Sequence, residues 1–353
     1  MYRLQVKAEK INIRNTPNDD ATYANWVGDM KYGEVFTAIK LVKGKMVGSS
    51  DDWYADSLNR YVSSAWVYDV TNYQDWMINL MLAEIWNLHQ EKGSSTKVAI
   101  LDTGYNVNIN DIVKGIVESK SFVKTKIGVE ISINDTAGHG SHCSSLIASR
   151  NLNLICGCAP EAQLYMAKIS SSVSVKNYST IIEAIEWAIS KNVDIISISY
   201  GGESDDSNLK TAISKAVNDH NILVIASIGD TFDKSANLPL YPALYDDCLA
   251  VGAVNNSFSI DPISVQSSKI DIYAPGSHIL AYASGITPEE MTGTSQASAI
   301  TAGVCALIIS KYKKIKKNYT PADIKKLLLS NTDFTTDGTN KKVISPLKAF
   351  SKI

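Results

Sequence analysis

The chain has 353 residues, of which 45% are hydrophobic and 20% are charged, as is usual for globular proteins. Its formal net charge is −2, so no basic surplus indicates a nucleic-acid or anionic-lipid partner, and we expect neither. No apolar run approaches the roughly 18 residues of a membrane span, so we expect no transmembrane segment.

Short runs with a period of two are typical of the N-terminal part of the chain. Residues 10–14 and 34–39 alternate in this way, as strands with one buried face do. We therefore predict a small all-β barrel or roll over residues 1–70. The side chains of Trp53 and Trp66 are predicted to belong to its core.

The remainder of the chain alternates apolar runs with amphipathic segments, after a helical pattern over residues 72–92. Continuous apolar runs are typical of parallel strands that are covered on both faces. We therefore predict an α/β domain over residues 71–353, with a parallel sheet and helices on both of its faces. The predicted strands are 98–101, 164–169, 194–199, 222–227 and 249–254, and the predicted helices include 181–190, 208–218 and 299–312.

The cysteines form an odd and sparse set, unlike a disulfide framework. We predict that all of them are buried structural residues in reducing surroundings. The N-terminal residues contain no apolar segment typical of a signal peptide, so the prediction is a cytoplasmic location, with secretion after processing as the alternative. The five residues are Cys143, Cys156, Cys158, Cys248 and Cys305.

A serine lies at the start of the most apolar predicted helix, in the turn Gly293-Thr294-Ser295. The first N–H groups of a helix have no intrahelical partner, and the helix N-terminus carries a partial positive charge. These groups stabilise an anion that forms beside the serine, which makes Ser295 a candidate nucleophile for acyl transfer. The alternative is a serine that only caps the helix.

An aspartate and a histidine are further candidates. Asp102 ends the first predicted strand of the α/β region, where its carboxylate could orient a base or act only as a turn residue. Its Asp-Thr-Gly motif also occurs in aspartic proteases, but these need two such carboxylates and the chain has one such motif. His139 lies between Gly138 and Gly140, which leave an edge of the imidazole open, as a general base requires.

The order Asp102, His139, Ser295 resembles that of the subtilisin-like serine proteases, and the resemblance extends from about residue 72 to the C-terminus. It implies that Ser295 is the nucleophile, that His139 takes its proton, and that Asp102 holds the imidazole in the required tautomer. Other motifs that carry the resemblance are Ala159-Pro160, Ser199-Tyr200-Gly201, Ala226-Ser227-Ile228-Gly229, Tyr241-Pro242-Ala243, Val251-Gly252-Ala253-Val254 and Ala274-Pro275-Gly276.

The chain departs from this family after Gly229, where the usual asparagine is replaced by Asp230. The resemblance implies an oxyanion hole made by Asp230 and the backbone N–H of Ser295. Loss of the asparagine donor costs about 2.7–4 kcal/mol, and an ionised carboxylate would also repel the oxyanion. A protonated carboxyl group could instead donate, so we expect acid pH to favour activity if Asp230 must be protonated. Gln296 replaces a usual methionine, a change that we expect to be tolerated.

The resemblance also implies two walls of a substrate cleft. An extended peptide would pair with the first wall, where the bulk of Tyr200 would narrow the adjacent subsite. Asp230 and Asp233 lie near the first specificity pocket in the family, so a basic substrate side chain is one expectation. The first wall comprises Ser199, Tyr200 and Gly201, and the second comprises Ala226, Ser227, Ile228 and Gly229.

Residues 1–70 resemble a bacterial SH3-like (SH3b) domain. The resemblance rests on Ile11-Asn12-Ile13-Arg14, on the segment 30–35, and on Ala65-Trp66-Val67. It implies that this domain binds cell-wall peptide or another peptide or protein ligand. The alternative is a module that only stabilises its neighbour.

The resemblance implies no cofactor for catalysis but leaves calcium open. Many relatives bind this ion at a loop that corresponds to residues 150–155. In this chain the loop is short, and Asn151 and Asn153 could supply oxygens to the ion.

These features together predict a serine endopeptidase that hydrolyses peptide bonds of proteins or peptides through an acyl-enzyme. The alternative is a protease-fold protein with weak or no turnover that binds a peptide or partner. The candidate triad favours the enzyme, because a missing oxyanion donor costs only a few kcal/mol, about 2.7–4. The aspartate at position 230 favours the alternative.

Overall fold

The computed structural model describes residues 1–14, 16–17, 26–172, 178–231 and 238–353. Their contacts divide the chain into two compact units, Met1–His89 and Gln90–Ile353. The first unit thus includes residues 71–89, whereas the sequence places a domain boundary at residue 70.

The first unit is built from short antiparallel strands. Its core contains Leu4, Ile11, Phe36 and Val62. The described strands are β1 (Tyr2–Val6), β2 (Lys10–Arg14), β3 (Trp26–Lys31), β4 (Val35–Ala38), β5 (Lys40–Val47), β6 (Ser50–Ala55), β7 (Tyr61–Ser63) and β8 (Val67–Asp69). They form two sheets, with the strand orders β4-β1-β8 and β3-β2-β7-β6-β5. The predicted small β unit is therefore present.

The two tryptophans of this unit differ in exposure. Trp53 is 2% exposed, as predicted, but Trp66 is 45% exposed, so its prediction as a core residue is wrong. Trp66 lies in a short 3₁₀ turn, Ser64–Trp66, that interrupts the strand pattern. In that turn, alternation along the sequence no longer determines which way a side chain points.

The predicted helix over residues 72–92 is divided into two short helices, α1 (Asp75–Asn79) and α2 (Leu82–Leu88). The break lies at Met81, whose φ of 57° is in the left-handed region. A right-handed helix cannot continue through that conformation. The prediction of one continuous helix is therefore wrong, although its apolar residues Trp76 and Ile85 are buried.

The second unit alternates strands and helices. Its described strands are β9 (Lys97–Asp102), β10 (Ile116–Ser121), β11 (Arg150–Asn151), β12 (Ile155–Cys156), β13 (Gln163–Lys168), β14 (Ile195–Ile198), β15 (Leu223–Ser227), β16 (Cys248–Val254), β17 (Ile272–Pro275), β18 (Ile279–Tyr282), β19 (Pro288–Met291), β20 (Asp333–Phe334) and β21 (Lys342–Val343). Its described helices are α3 (Asn110–Val113), α4 (His139–Ala148), α5 (Ser179–Ser190), α6 (Ser207–Ser214), α7 (Thr294–Lys314), α8 (Pro321–Ser330) and α9 (Pro346–Phe350).

The main sheet has the strand order β10-β13-β9-β14-β15-β16-β17-β21-β20 within the described ranges. Every neighbouring pair from β10 to β21 is parallel, and the last pair, β21 with β20, is antiparallel. The predicted parallel sheet is confirmed. Because its strands are parallel, their carboxyl ends meet at one edge, where sites form in such sheets.

Helices cover both faces of this sheet. Ala99 and Leu101 of β9 belong to one buried cluster with Ile185 of α5 and Leu209 of α6. Helices α4 and α7 pack against each other and contact the same central strands, but no residue of theirs belongs to that cluster. They therefore cover the opposite face. Since α4 and α7 contain His139 and Ser295, the sheet and helix packing brings these two residues to the same region.

Helix α7 is apolar on all sides and is buried for most of its length. A helix of this kind belongs in the middle of a domain. In the described ranges, no helix is long and apolar enough to cross a membrane. The five cysteines are all buried and free of disulfides.

Candidate active site

Asp102 lies at the carboxyl end of β9 and is fully buried. Its Oδ1 accepts hydrogen bonds from the Thr103 N–H at 2.7 Å and from His139 Nδ1 at 2.8 Å. Its Oδ2 is buried and has no hydrogen-bond partner among the described residues. One carboxylate oxygen thus contacts the imidazole. Because this oxygen accepts the hydrogen bond, Nδ1 must be the nitrogen that carries the proton.

His139 is the first residue of α4. Gly138 precedes it with a φ of 83°, a conformation that favours glycine. The imidazole side chain is 14% exposed. Burial alone would lower the pKa of His139, but the adjacent Asp102 carboxylate outweighs it, so the pKa lies well above its ordinary value.

Asp135 was not singled out by sequence reasoning, although it holds the turn that leads into α4. Its Oδ1 accepts from the N–H groups of Ala137 at 3.0 Å and Gly138 at 2.8 Å. Its Oδ2 accepts from the N–H and the hydroxyl of Ser141, both at 2.8 Å. The side chain is 2% exposed. The signal that could have revealed it is an aspartate in the turn just before a helix-opening histidine, because aspartate side chains accept backbone N–H groups in such turns.

Replacing Asp135 by alanine should destabilise the protein and slow catalysis. Three N–H groups, two of them buried, and a hydroxyl would lose their acceptor, so we expect a loss of roughly 2–5 kcal/mol in the free energy of unfolding. Because His139 follows this turn, we also expect kcat to fall by about 10²-fold, as misplacement by about 1 Å does. Urea unfolding and peptide hydrolysis measure the two effects.

Asp206→Ala is the matched control for that variant. Asp206 caps α6 by accepting from the N–H groups of Asn208 and Leu209, both at 2.9 Å. Its loss should cost about 1 kcal/mol of stability and leave kcat unchanged. Equal kcat values for Asp135→Ala and Asp206→Ala would show that the Asp135 cap does not position the histidine.

Ser295 lies in the first turn of α7 and is 9% exposed. Its Oγ donates to the Ser199 carbonyl oxygen at 3.4 Å. In the described part of the chain, no hydrogen bond joins Ser295 Oγ to His139. Catalytic hydrogen bonds are often long or misaligned before substrate binds, so the missing bond does not argue against a serine–histidine pair.

Cys143 lies one helical turn after His139 in α4 and faces the same site. Its Sγ is 4.0 Å from His139 Nδ1 and 3.8 Å from Ser199 Oγ. Asp102, His139 and Cys143 form the one cluster of three potential metal ligands that the described residues contain. Burial raises the pKa of the Cys143 thiol, which therefore stays protonated. A protonated thiol beside an imidazole nitrogen already bonded to Asp102 favours neither a cysteine nucleophile nor a metal site.

Asp230 lies beside the turn that carries the serine. Its Oδ1 accepts from both the N–H and the hydroxyl of Thr294, at 2.8 and 2.9 Å. Its Oδ2 would lie 2.6 Å from a Cβ at Gly293, so this oxygen also faces the turn. The carboxyl group thus occupies the N-terminus of α7, where negative charge is stabilised and where an oxyanion would also be held.

Gln296 links the two helices of the site. It is 2% exposed, and its Nε2 lies 3.5 Å from Nδ1 of His142 in α4. Burial lowers the pKa of His142 to about 4, so this imidazole is neutral near pH 7 and its Nδ1 can accept. Nε2 of His142 faces the carbonyl oxygens of Ile279 at 3.0 Å and Glu289 at 3.2 Å. Gln296 is therefore accommodated by a polar contact.

The predicted cleft walls follow adjacent strands. Residues 199–201 follow β14, and residues 226–229 run from the end of β15. Tyr200 is 5% exposed, and its ring packs edge-on against His139 with centroids 5.3 Å apart. The second predicted acid near the pocket, Asp233, lies outside the described residues.

The predicted calcium loop, residues 150–155, is held by side-chain hydrogen bonds. Asn151 Nδ2 donates to Asp111 Oδ2 at 3.1 Å, and its Oδ1 accepts from the Asn153 N–H at 3.1 Å. Asp111 Oδ2 also accepts from the Tyr282 hydroxyl at 2.9 Å. Calcium takes six to eight oxygens, which come from carboxylates, asparagine side chains and backbone carbonyls. The loop thus brings Asn151 close to one carboxylate, Asp111, and calcium binding here stays a prediction.

Comparison with known proteins identifies the family. The sequence model of the Subtilase family, Peptidase S8, matches residues 93–347. The chain belongs to the subtilase family. It is 35% identical over 254 residues to the "Major intracellular serine protease" of Bacillus subtilis (strain 168), a match that covers 71% of this chain and 79% of that protein.

Two further subtilases are similar over much of the same region. Subtilisin E of Bacillus subtilis (strain 168) is 37% identical over 222 residues, which are 62% of this chain and 57% of subtilisin E. The "Intracellular serine protease" of Paenibacillus polymyxa is 35% identical over 227 residues, 64% of this chain and 69% of that protein. As a subtilase, the chain is a serine endopeptidase with a subtilisin-like α/β fold, so its substrates are proteins or peptides.

Proposed function

We propose that Ser295, His139 and Asp102 form the catalytic triad of this endopeptidase. The observation that carries the proposal is the 2.8 Å contact between Asp102 Oδ1 and His139 Nδ1. His139 lies on α4, which packs against α7, the helix whose first turn contains Ser295. With Nδ1 protonated, the other nitrogen, Nε2, is the acceptor. This tautomer is the one that a general base requires.

The proposed reaction has two stages. Ser295 Oγ attacks the scissile carbonyl carbon while His139 Nε2 takes the hydroxyl proton, and the resulting imidazolium is stabilised by Asp102. The tetrahedral intermediate collapses when the imidazolium gives its proton to the leaving amine, which leaves an acyl-enzyme. Water, activated by the same imidazole, then releases the acid and restores the serine.

The proposed oxyanion hole contains the backbone N–H of Ser295 and the side chain of Asp230. The serine N–H lies in the first turn of α7, where backbone donors have no intrahelical acceptor. Asp230 lies at the same helix end through its contacts to Thr294. If its carboxyl group is protonated, it can donate to the oxyanion; if it is ionised, it weakens the hole.

The second candidate function is a subtilase-fold protein that binds peptides with little turnover. It is favoured by the two hydrogen bonds from Thr294 to Asp230 Oδ1, because donors to a carboxylate stabilise its charged form. Negative charge would then occupy the position where the oxyanion needs a donor.

Reaction with a fluorophosphonate probe separates the two candidates. We expect labelling of the native chain and none of Ser295→Ala, measured between about pH 4 and about pH 9, because the probe requires an activated serine. Correctly folded native chain that is not labelled at any pH would support the binding protein. Equal labelling of both proteins would mean that Ser295 is not the nucleophile.

For the first unit we propose an SH3-like domain with a peptide ligand. Support comes from a pocket of about 260 Å³ whose lining includes Lys10, Arg14 and the exposed Trp66. Titration of the full chain with soluble cell-wall peptides should give binding that Trp66→Ala weakens; no binding to either protein would favour a purely stabilising module.

We further propose a cytoplasmic location, which fractionation of the source cells would test.

A further inference from the structure

Lys168 brings a charged group into the interior of the second unit. It is the last residue of β13 and is 2% exposed. Its Nζ donates a hydrogen bond to the backbone carbonyl oxygen of Asn134 at 2.7 Å. Among the described residues it forms no ion pair, although lysines are almost never fully buried unless they are paired. Since burying an ammonium group costs free energy, its presence here points to a role other than stability.

The lysine lies beside the strand end that carries Asp102. Strands β13 and β9 are parallel neighbours, and Lys168 is the register partner of Asp102. Its side chain then runs along the turn that follows Asp102, because a Cβ built at Gly104 would be 3.4 Å from Lys168 Cδ. The aliphatic stem therefore packs on this turn, while the ammonium group reaches the Asn134 carbonyl oxygen.

The segment that Lys168 holds leads directly into His139. Asn134 is followed by Asp135, whose carboxylate accepts the N–H groups of the turn before α4. The N–H of Asp135 donates to the Tyr105 carbonyl oxygen at 3.0 Å, which ties the same segment to the chain after β9. Burial lowers the pKa of Lys168, and the charge of Asp135 opposes this shift, so the two groups lie close enough to interact.

We infer that Lys168 is a positioning residue for the reaction, which sets the separation of Asp102 and His139 by holding the Asn134 carbonyl oxygen beside the turn that follows Asp102. The inference rests on the proposed function, because this separation matters for turnover only if both residues belong to the catalytic triad. A buried lysine on the far side of that turn acts through the histidine. Its loss should therefore change kcat more than KM.

Lys168→Met tests the inference, because methionine keeps most of the aliphatic stem and removes the ammonium group. Misplacement of a catalytic group by about 1 Å costs about 10²-fold, so we expect kcat to fall by at least about 10-fold while KM changes by less than about 3-fold. Lys97→Met is the matched control. Lys97 Nζ also donates to a backbone carbonyl oxygen, that of Lys191 at 3.3 Å, but Lys97 lies at the amino end of β9. Its kcat and KM should match those of the native enzyme.

Proton NMR of the full chain separates positioning from a purely structural role. The proton that His139 Nδ1 donates to the Asp102 carboxylate should give a downfield resonance, which we expect to shift or broaden in Lys168→Met and to stay unchanged in Lys97→Met. A purely structural lysine would lower only the free energy of unfolding in urea. A native kcat, or an unchanged resonance, in folded Lys168→Met overturns the inference.

The same measurements keep this inference apart from the proposed function. If the fluorophosphonate probe does not label Ser295 and no peptide is cleaved, the proposed function fails, and the resonance alone decides whether Lys168 positions His139. If the probe labels Ser295 but Lys168→Met behaves as the native chain does, the inference is overturned and the proposed function stands. Lys168→Gln, whose side chain is too short to replace the ammonium contact, takes the place of Lys168→Met if the methionine variant does not fold.

Discussion

Asp102→Asn should lower kcat by about 10⁴-fold, the effect that this change has in a serine protease triad. Asp102 Oδ1 already accepts the Thr103 N–H at 2.7 Å and the His139 Nδ1 at 2.8 Å. An asparagine that keeps its oxygen on Thr103 can present its amide N–H to the imidazole, which forces the proton onto Nε2. A histidine in that tautomer cannot accept the Ser295 proton. Steady-state hydrolysis of a peptide substrate measures the loss.

The pH profile gives this prediction a second readout. His139 must be neutral to act as a base, so kcat/KM of the native enzyme should rise with pH through a pKa that the Asp102 carboxylate holds well above its ordinary value. Without the carboxylate that pKa falls, so the residual activity of Asp102→Asn should reach its plateau at lower pH. An unchanged profile with unchanged kcat would remove Asp102 from the mechanism.

Asp111→Asn serves as the control for this change of charge. Asp111 accepts hydrogen bonds from Asn151 and Tyr282 in the same unit, and in the described part of the chain it has no hydrogen bond to the proposed triad. We expect kcat and the pH profile of this variant to match those of the native enzyme.

Asp230→Asn should act in the opposite direction and raise kcat by about 10²–10³-fold where the native aspartate is ionised. This fold-change in kcat is the one measured when the corresponding asparagine is removed from a subtilisin. Asparagine Oδ1 can keep both hydrogen bonds from Thr294, while its NH₂ group replaces the oxygen that faces Gly293. The substitution thus adds a donor at the proposed oxyanion position and keeps both contacts with Thr294.

The gain should depend on pH. In the proposed oxyanion hole an ionised Asp230 would repel the oxyanion and a protonated Asp230 would donate to it, so the ratio of Asp230→Asn to native kcat should be largest at alkaline pH and should shrink as pH falls. Asp230→Ala removes the charge without adding a donor, so its kcat at alkaline pH should lie between those of the native enzyme and Asp230→Asn. A kcat for Asp230→Asn that is no higher than native at alkaline pH would mean that this side chain does not face the oxyanion.

The main elements of the second unit could be predicted because their signals are local. The apolar run 98–101 lies within β9, and Asp102 follows it at the strand end. A helix without a polar face must be buried, which made α7 and its opening serine recognisable. The order of the strands in the sheet then brings residues far apart in sequence to one edge, as expected for parallel strands.

Other features were decided by tertiary structure, because they depend on contacts between distant residues or on single backbone angles. Hydrophobic periodicity does not report that Met81 turns left-handed and divides a helix. Nor does it reveal that Leu240 lies between Gly201 and Gly229. The sequence by itself determined the strands, the buried helix and three candidate catalytic residues. Only the tertiary structure decided that the Asp230 carboxylate accepts from Thr294, because this contact joins side chains that folding brings together from separate segments.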